Sequence, residues 1–138
     1  MWWRKKSLTI ALTCADWRLH RDKAKLLKRL NRKIGVKVAD LIALPGPDGL
    51  CAPGRTGDWN ATLTWTKLLA LAHDAQSVAV VAHQDCAGHN VSNEQHEKDV
   101  VAVASALKRD LGFDGPVWAI VAVHRSDTDW PLKVIEKI

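Results

Sequence analysis

The chain has no tyrosine, only three cysteines, and no apolar run long enough to cross a bilayer. Each shortage excludes something. An odd, sparse set of thiols (Cys14, Cys51 and Cys86) does not build the even disulfide framework of a small secreted domain. Spread through 138 residues, such thiols point to metal binding or catalysis in a reducing compartment. Low-complexity tracts and internal repeats are missing too, which argues against a disordered tail or a solenoid. Without tyrosine, aromatic packing falls on seven tryptophans. Trp17 is placed to wall a pocket or pack at a subunit contact, and Trp59, Trp65 and Trp118 are expected in the core or an interface.

The remaining composition is that of an ordinary globular chain, 47% hydrophobic and 25% charged. One domain over residues 1–138 is expected. The net charge is +5. Much of the excess lies in Arg4-Lys5-Lys6 and in the stretch from Arg18 to Lys37. Interspersed charge of this kind reads as a solvated helix face before a nucleic-acid surface. The start, Met1-Trp2-Trp3-Arg4-Lys5-Lys6, has a faint signal-peptide flavour, but the apolar stretch after it is only about seven residues long. It reads better as a buried first strand, and a cytoplasmic protein with no membrane partner is expected.

Apolar, β-branched runs alternate with helical patterns. Strands are expected at Leu8 to Thr13, Val36 to Leu44, Ser77 to Ala82 and Val117 to Val123, with a short edge strand at Leu132 to Ile135. An amphipathic helix is expected over Asp22 to Ile34, with leucines 26, 27 and 30 on one face. A second helix, capped by Asp58 or Asn60, should run to Asp74 and bury Leu63, Leu68, Leu69 and Leu71. A third opens with Ser92 and Gln95 as a capping box and runs to Leu111. Pro45 to Gly57 is too rich in proline and glycine for either element and reads as a loop. The result is a three-layer α/β/α fold around a mostly parallel sheet of four to five strands. In such sheets ligands gather beyond the carboxyl ends of strands, where the strand order reverses.

Two strings sit at those ends: Thr13-Cys14-Ala15-Asp16-Trp17-Arg18 after strand one and His83-Gln84-Asp85-Cys86 after strand three. Together they offer two thiolates and an imidazole, a set suited to Zn²⁺. Three protein ligands leave a position for water or substrate, the pattern of a catalytic zinc site. Cys51 is a free thiol or, if its loop folds over the site, a fourth ligand. His20 and His89 are candidate proton shuttles or plain surface histidines. His96 and Asp99 share a helix side, where they form a supporting hydrogen bond or a solvated face.

Cys-x-Asp-x-Arg and His-x-x-Cys in this arrangement resemble the metal-site signature of β-class carbonic anhydrases. The likeness is closer to a group of small carbonic anhydrase-like proteins, whose strings match Thr13 to Leu19 and His83 to Gly88, with further similarity at Gln95-His96-x-x-Asp99. The resemblance implies a β-carbonic anhydrase-like fold and zinc held by Cys14, His83 and Cys86. It implies hydration of carbon dioxide to bicarbonate by zinc-bound hydroxide. It makes Asp16 and Arg18 a dyad: the carboxylate pairs with the arginine, or swings onto the metal and closes the site. A homodimer or higher even oligomer is implied as well. The region Ala43-Leu44-Pro45-Gly46-Pro47-Asp48-Gly49 departs from the Arg-Asn-Ala-Gly stretch of typical β-class enzymes. That departure leaves two alternatives: a zinc hydrolase of another small electrophile such as carbon disulfide or carbonyl sulfide, and a non-catalytic basic zinc-binding module.

Overall fold

The computed structural model describes residues 8–21 and 25–138. A five-stranded sheet in the order β2-β1-β3-β4-β5 forms its centre. The strands are β1 (Leu8–Thr13), β2 (Val38–Ala43), β3 (Ser77–His83), β4 (Val117–Ala122) and β5 (Leu132–Lys137). The first four run parallel and β5 is antiparallel to β4. Every residue of β1 and β3 is buried. That is why these segments are mostly apolar, with Thr9, Thr13, Ser77 and His83 as their buried polar residues.

Three helices cover the sheet: α1 (Leu26–Ile34), α2 (Thr56–His73) and α3 (Asn93–Leu111). On one face α1 packs through Leu26 and Leu30 with Ala79, Val81, Ile120 and the buried Trp130. On the other, α3 contributes Val100, Val103, Ala104 and Leu107 against Val78, Val80 and Val117. The expected α/β architecture with both faces covered is therefore present.

The edges of the elements differ from expectation in instructive ways. Helix α1 begins at Leu26, and the expected start at Asp22 lies outside the described residues. Leu27 is exposed, so only Leu26 and Leu30 serve its buried face. Strand β2 is shorter than Val36 to Leu44, because its pairing with β1 runs only from Val38 to Ala43. Helix α2 starts at Thr56, inside the stretch read as loop, and its N-cap is Arg55 with no side-chain cap. Asp58 instead sits in the first turn, paired with Arg55 at 2.9 Å. The face α2 turns inward buries Thr62 and Thr66 and packs half-buried Leu63 and Leu69 against the core, while Trp65, Leu68 and Leu71 are exposed. Thr66 Oγ1 satisfies itself by donating to Thr62 O at 2.7 Å, which lets hydroxyls occupy that face. Strand β5 extends to Lys137 and is longer than the short edge strand expected.

Helix α3 begins as its capping signal dictates. Ser92 Oγ accepts from Gln95 N at 3.1 Å, and the helix ends at Gly112 with φ +59°. A cap of this kind stabilises by about 1 kcal/mol. Among the described residues no helix is long and apolar enough to cross a membrane.

Strand order reverses between β1 and β3, because β2 lies on the far side of β1 and β4 on the far side of β3. Thr13, the last residue of β1, pairs with Val81. Two residues further along, His83 ends β3 opposite Ala122. The carboxyl ends of the two central strands thus meet at one point, and the donor-bearing strings leave from it.

Candidate metal centre

Cys14, one residue past β1, is buried, and so are His83 and Cys86. Their ligand atoms lie within 4.8 Å of one another, and the two sulfurs are 3.9 Å apart. Side chains alternate along a strand, so His83 shares the α1-side face with Ala79 and Val81. Cys86 returns to that face after a tight turn in which Asp85 takes φ +54°. Cys14 also receives a backbone hydrogen bond from Gly46 N at 3.4 Å.

His83 carries the most telling detail. Its Nδ1 lies 2.7 Å from Gln84 O. A carbonyl only accepts, so Nδ1 carries a ring proton and Nε2 is the nitrogen left to face the thiols. That Nε2 is buried with no hydrogen-bond partner. An imidazole whose outer nitrogen is fixed by a carbonyl, with the other free among thiols, is prepared for a cation. The two thiols also need one. Cys86 donates to Cys14 and lowers its pKa, while the resulting Cys14 thiolate raises that of Cys86, so the pair retains a proton. Only a positive charge between them allows both to ionise. The donor set therefore fits Zn²⁺, with soft sulfur and borderline nitrogen at three positions.

Asp16 is outside this cluster. Its Oδ2 is 3.9 Å from His83 Nε2 but is held by Arg18 Nη2 at 2.7 Å. Arg18 Nε donates to both carboxylate oxygens at 3.1 and 3.2 Å, and Arg18 N donates to Oδ1 at 2.9 Å. These bonds hold the Asp16 carboxyl below the usual carboxylate range and raise the guanidinium further. Arg18 is itself gripped from outside. Nη1 reaches Asp85 Oδ2 at 2.9 Å and Asp127 Oδ1 at 3.2 Å, and Nη2 donates to Asp85 O at 3.0 Å. Trp130 lies beneath, its ring centroid 5.1 Å from Arg18 Cζ and 5.4 Å from the His83 ring. His124 stacks on the same indole at 4.6 Å.

A cleft of about 510 Å³ opens over this arrangement, lined by Cys14, Asp16, Trp17, Arg18, Pro45 and Gly88 among others. Trp17 forms part of its wall while remaining 63% exposed. Cys51 is exposed and lines a different cleft with Trp59, Arg109 and Asp110, so it does not join the three donors. His20 Nε2 touches Cys14 O at 2.8 Å. His89 is turned away to Asp99, at 2.6 Å, and is absent from the cleft lining. His96 is fully buried and bonded to Asp48, so the side it shares with Asp99 is not a solvated face.

Sequence reasoning joined Cys14, His83, Cys86, Asp16 and Arg18, and the structure brings all five together. It missed Asp127, His124 and Trp130, which arrive from the turn before β5. Asp85 was visible inside the His-Gln-Asp-Cys string without a role. No local pattern marks the other three, because their position depends on a turn packing across the ends of β3 and β4.

Residues 4–135 match the protein family described as "Putative carbonic anhydrase". The chain belongs to that family. Its fold is shared with the solved carbonic anhydrase from Streptococcus mutans, with a TM-score of 0.65 at 15% sequence identity, covering 95% of this chain and 82% of that one. No curated protein sequence matches the chain.

Proposed function

We propose that this protein is a zinc-dependent carbonic anhydrase-like enzyme that interconverts carbon dioxide and bicarbonate, with Cys14, His83 and Cys86 as zinc ligands and Asp16 and Arg18 as the working dyad. The observation that carries the reading is the partnerless, buried Nε2 of His83, set in its ligand tautomer among two thiols. Family membership supplies the reaction class.

When bound there, Zn²⁺ would supply Lewis acidity that brings the pKa of a water towards ~7. The protein's own groups do the rest. Asp16, kept ionised by Arg18, accepts a hydrogen bond at Oδ2 from a water in the cleft and orients its lone pair toward the substrate. Because Arg18 occupies both oxygens of Asp16, the carboxylate stays off the three-donor cluster. Asp85, Asp127 and Trp130 hold the guanidinium in that position. Trp17, Pro45, Ala87 and Gly88 offer an apolar wall suited to carbon dioxide, which needs few polar contacts. Addition of water to carbon dioxide yields bicarbonate and one proton, which leaves through the open cleft. Two thiolates donate more charge than imidazoles, so activity is expected to favour alkaline pH.

Thiols reserved for a metal suit a reducing compartment, and a cytoplasmic location is part of this reading. A homodimer is part of this reading, and exposed Leu41 on the edge strand β2 is one apolar residue available to it. The test is stopped-flow carbon dioxide hydration on zinc-loaded protein, with metal content measured beside it. One zinc per chain at the thiols and a rate above buffer at alkaline pH are expected. Zinc-loaded protein without any such rate overturns the assignment.

A further inference from the structure

Behind the cleft, on the α3 side of the sheet, lies a second group of metal-type donors. Asp48, His89 and Asp99 place one ligand atom each within 4.8 Å of one another. They come from three places: a 3-10 turn at Pro47–Gly49, the loop after β3, and α3. We propose that Asp48, His89 and Asp99 form a second binding site, for a divalent first-row cation that prefers oxygen and nitrogen donors.

Asp48 has no exposed side-chain area, and its Oδ1 has no hydrogen-bond partner. Its Oδ2 accepts from His96 Nδ1 at 2.6 Å and lies 4.0 Å from His89 Nε2. A buried carboxylate with an empty oxygen is costly unless positive charge compensates it. Among the described residues no lysine or arginine pairs with Asp48 or Asp99; their ion-pair partners are histidines alone. Arg55, beside Gly49, directs Nε to Asp58, Nη1 to Gly46 O and Nη2 to Pro45 O. A cation among the three donors supplies the missing charge.

The surroundings have the form of a supporting shell. His96 orients Asp48 through Nδ1, and Gln95 Nε2 donates to Asp99 Oδ1 at 2.7 Å. His89 Nε2 lies 2.6 Å from Asp99 Oδ2. An ion between them takes the Nε2 lone pair of the neutral imidazole, whose single proton then sits on Nδ1. One imidazole and two carboxylates suit harder ions than the two-sulfur cluster does, so the two sites are chemically distinct. His89 and Asp99 are 14% and 24% exposed, which leaves a route for entry.

The two groups are also joined mechanically. A Cβ at Gly46 would come within 2.7 Å of His89 Cβ, so His89 packs directly on the residue whose N–H bonds Cys14 Sγ. An ion at Asp48, His89 and Asp99 would tie that backbone to α3.

Cobalt(II) distinguishes the sites, because thiolate ligation gives an intense near-ultraviolet charge-transfer band and oxygen–nitrogen ligation does not. Metal-free full-length protein, titrated with Co²⁺ and desalted, is expected to retain two equivalents. The Cys14→Ser/Cys86→Ser variant should retain one, without the band. Asp99→Asn, near-isosteric and checked for folding by circular dichroism, should also retain one, with the band. Anomalous diffraction from the wild type at the cobalt edge should place a peak between Asp48, His89 and Asp99. A wild type that retains only a band-bearing equivalent, or an Asp99→Asn variant that retains both, overturns the proposal. Loss of the band with the second equivalent intact instead overturns the sulfur site and leaves this one standing.

Discussion

The two donor groups lie on either side of one close backbone contact, where a Cβ at Gly46 would meet the Gly88 carbonyl at 2.8 Å. On the α1 side, Cys14 and His83 sit at the ends of buried strands, and Cys86 follows within a tight turn. On the α3 side, Asp48 and His89 ride on loops and only Asp99 stands on a regular element. Strand ends in a buried parallel sheet hold position through the hydrogen-bond ladder itself. Loop-borne donors need others to hold them, and here His96 and Gln95 do so. The first group is sulfur-rich and nearly closed to solvent; the second is oxygen-rich and partly open. The sulfur-bearing group is thus held by the sheet itself and the oxygen-bearing one by its neighbours.

The contrast can be broken most severely at the sulfur side. Cys86→Ser leaves two donors of three, and zinc content measured by mass spectrometry should fall from one per chain to near none. Hydration of carbon dioxide should fall with it to the uncatalysed background, and so should that of wild-type protein stripped by a chelator. Next in size is Gly46→Ala, which strikes the shared wall. The residue has φ +53°, and the added methyl meets His89 and Gly88. Left-handed strain of about 1–2 kcal/mol adds to overpacking of about 1–3 kcal/mol, visible as a lowered urea midpoint. Cobalt binding should weaken on both sides of the contact, whereas a change confined to one side would show the two to be independent.

Arg18→Ala sharpens the comparison from within the first cleft. It frees Asp16 to approach the three donors, and kcat should fall about 10–100-fold, the usual effect of losing a group that orients a metal site. Zinc should stay bound, with the cobalt spectrum reporting a changed fourth position. Ser92→Ala addresses the other side, since it removes the cap of the helix that carries Gln95, His96 and Asp99. A loss of about 1 kcal/mol in stability is expected, with the thiolate band unaltered. The smallest effect belongs to Leu71→Lys on α2. That residue is 86% exposed, and the change should stay within about 0.5 kcal/mol by denaturant titration. A larger loss would show that the α2 face is covered in solution.

The first group was legible because its signal is local. Cys14-x-Asp16-x-Arg18 and His83-x-x-Cys86 each follow an apolar run, and a strand followed by donors is a pattern that neighbours in the chain can carry. Asp48 had no such signal. It lies in a stretch read only as loop, and its burial comes from α3 packing over the Pro47–Gly49 turn, 48 residues from its partner His96. The same holds for Trp130 and Asp127, whose contacts with Arg18 span the chain. Helix α2 shows a half-met expectation. Of its four leucines expected to be buried, Leu63 and Leu69 pack half-buried against the core, whereas Leu68 and Leu71 are exposed and Thr62 and Thr66 face inward. Apolar content alone does not say which face meets the sheet when the polar face satisfies its own hydroxyls.

By itself, the sequence determined the alternation of strands and helices, the parallel sheet, and the placing of two thiols and an imidazole at the ends of its central strands. These follow from hydrophobic periodicity, capping and donor type, all readable over a few residues. Only the tertiary structure decided that Asp16 is clasped by Arg18 away from the donors, that Cys51 stands apart, and that Asp48 meets His89 and Asp99. Those outcomes depend on distances between segments remote in the chain, which are set by packing across the sheet and carry no mark in the local pattern.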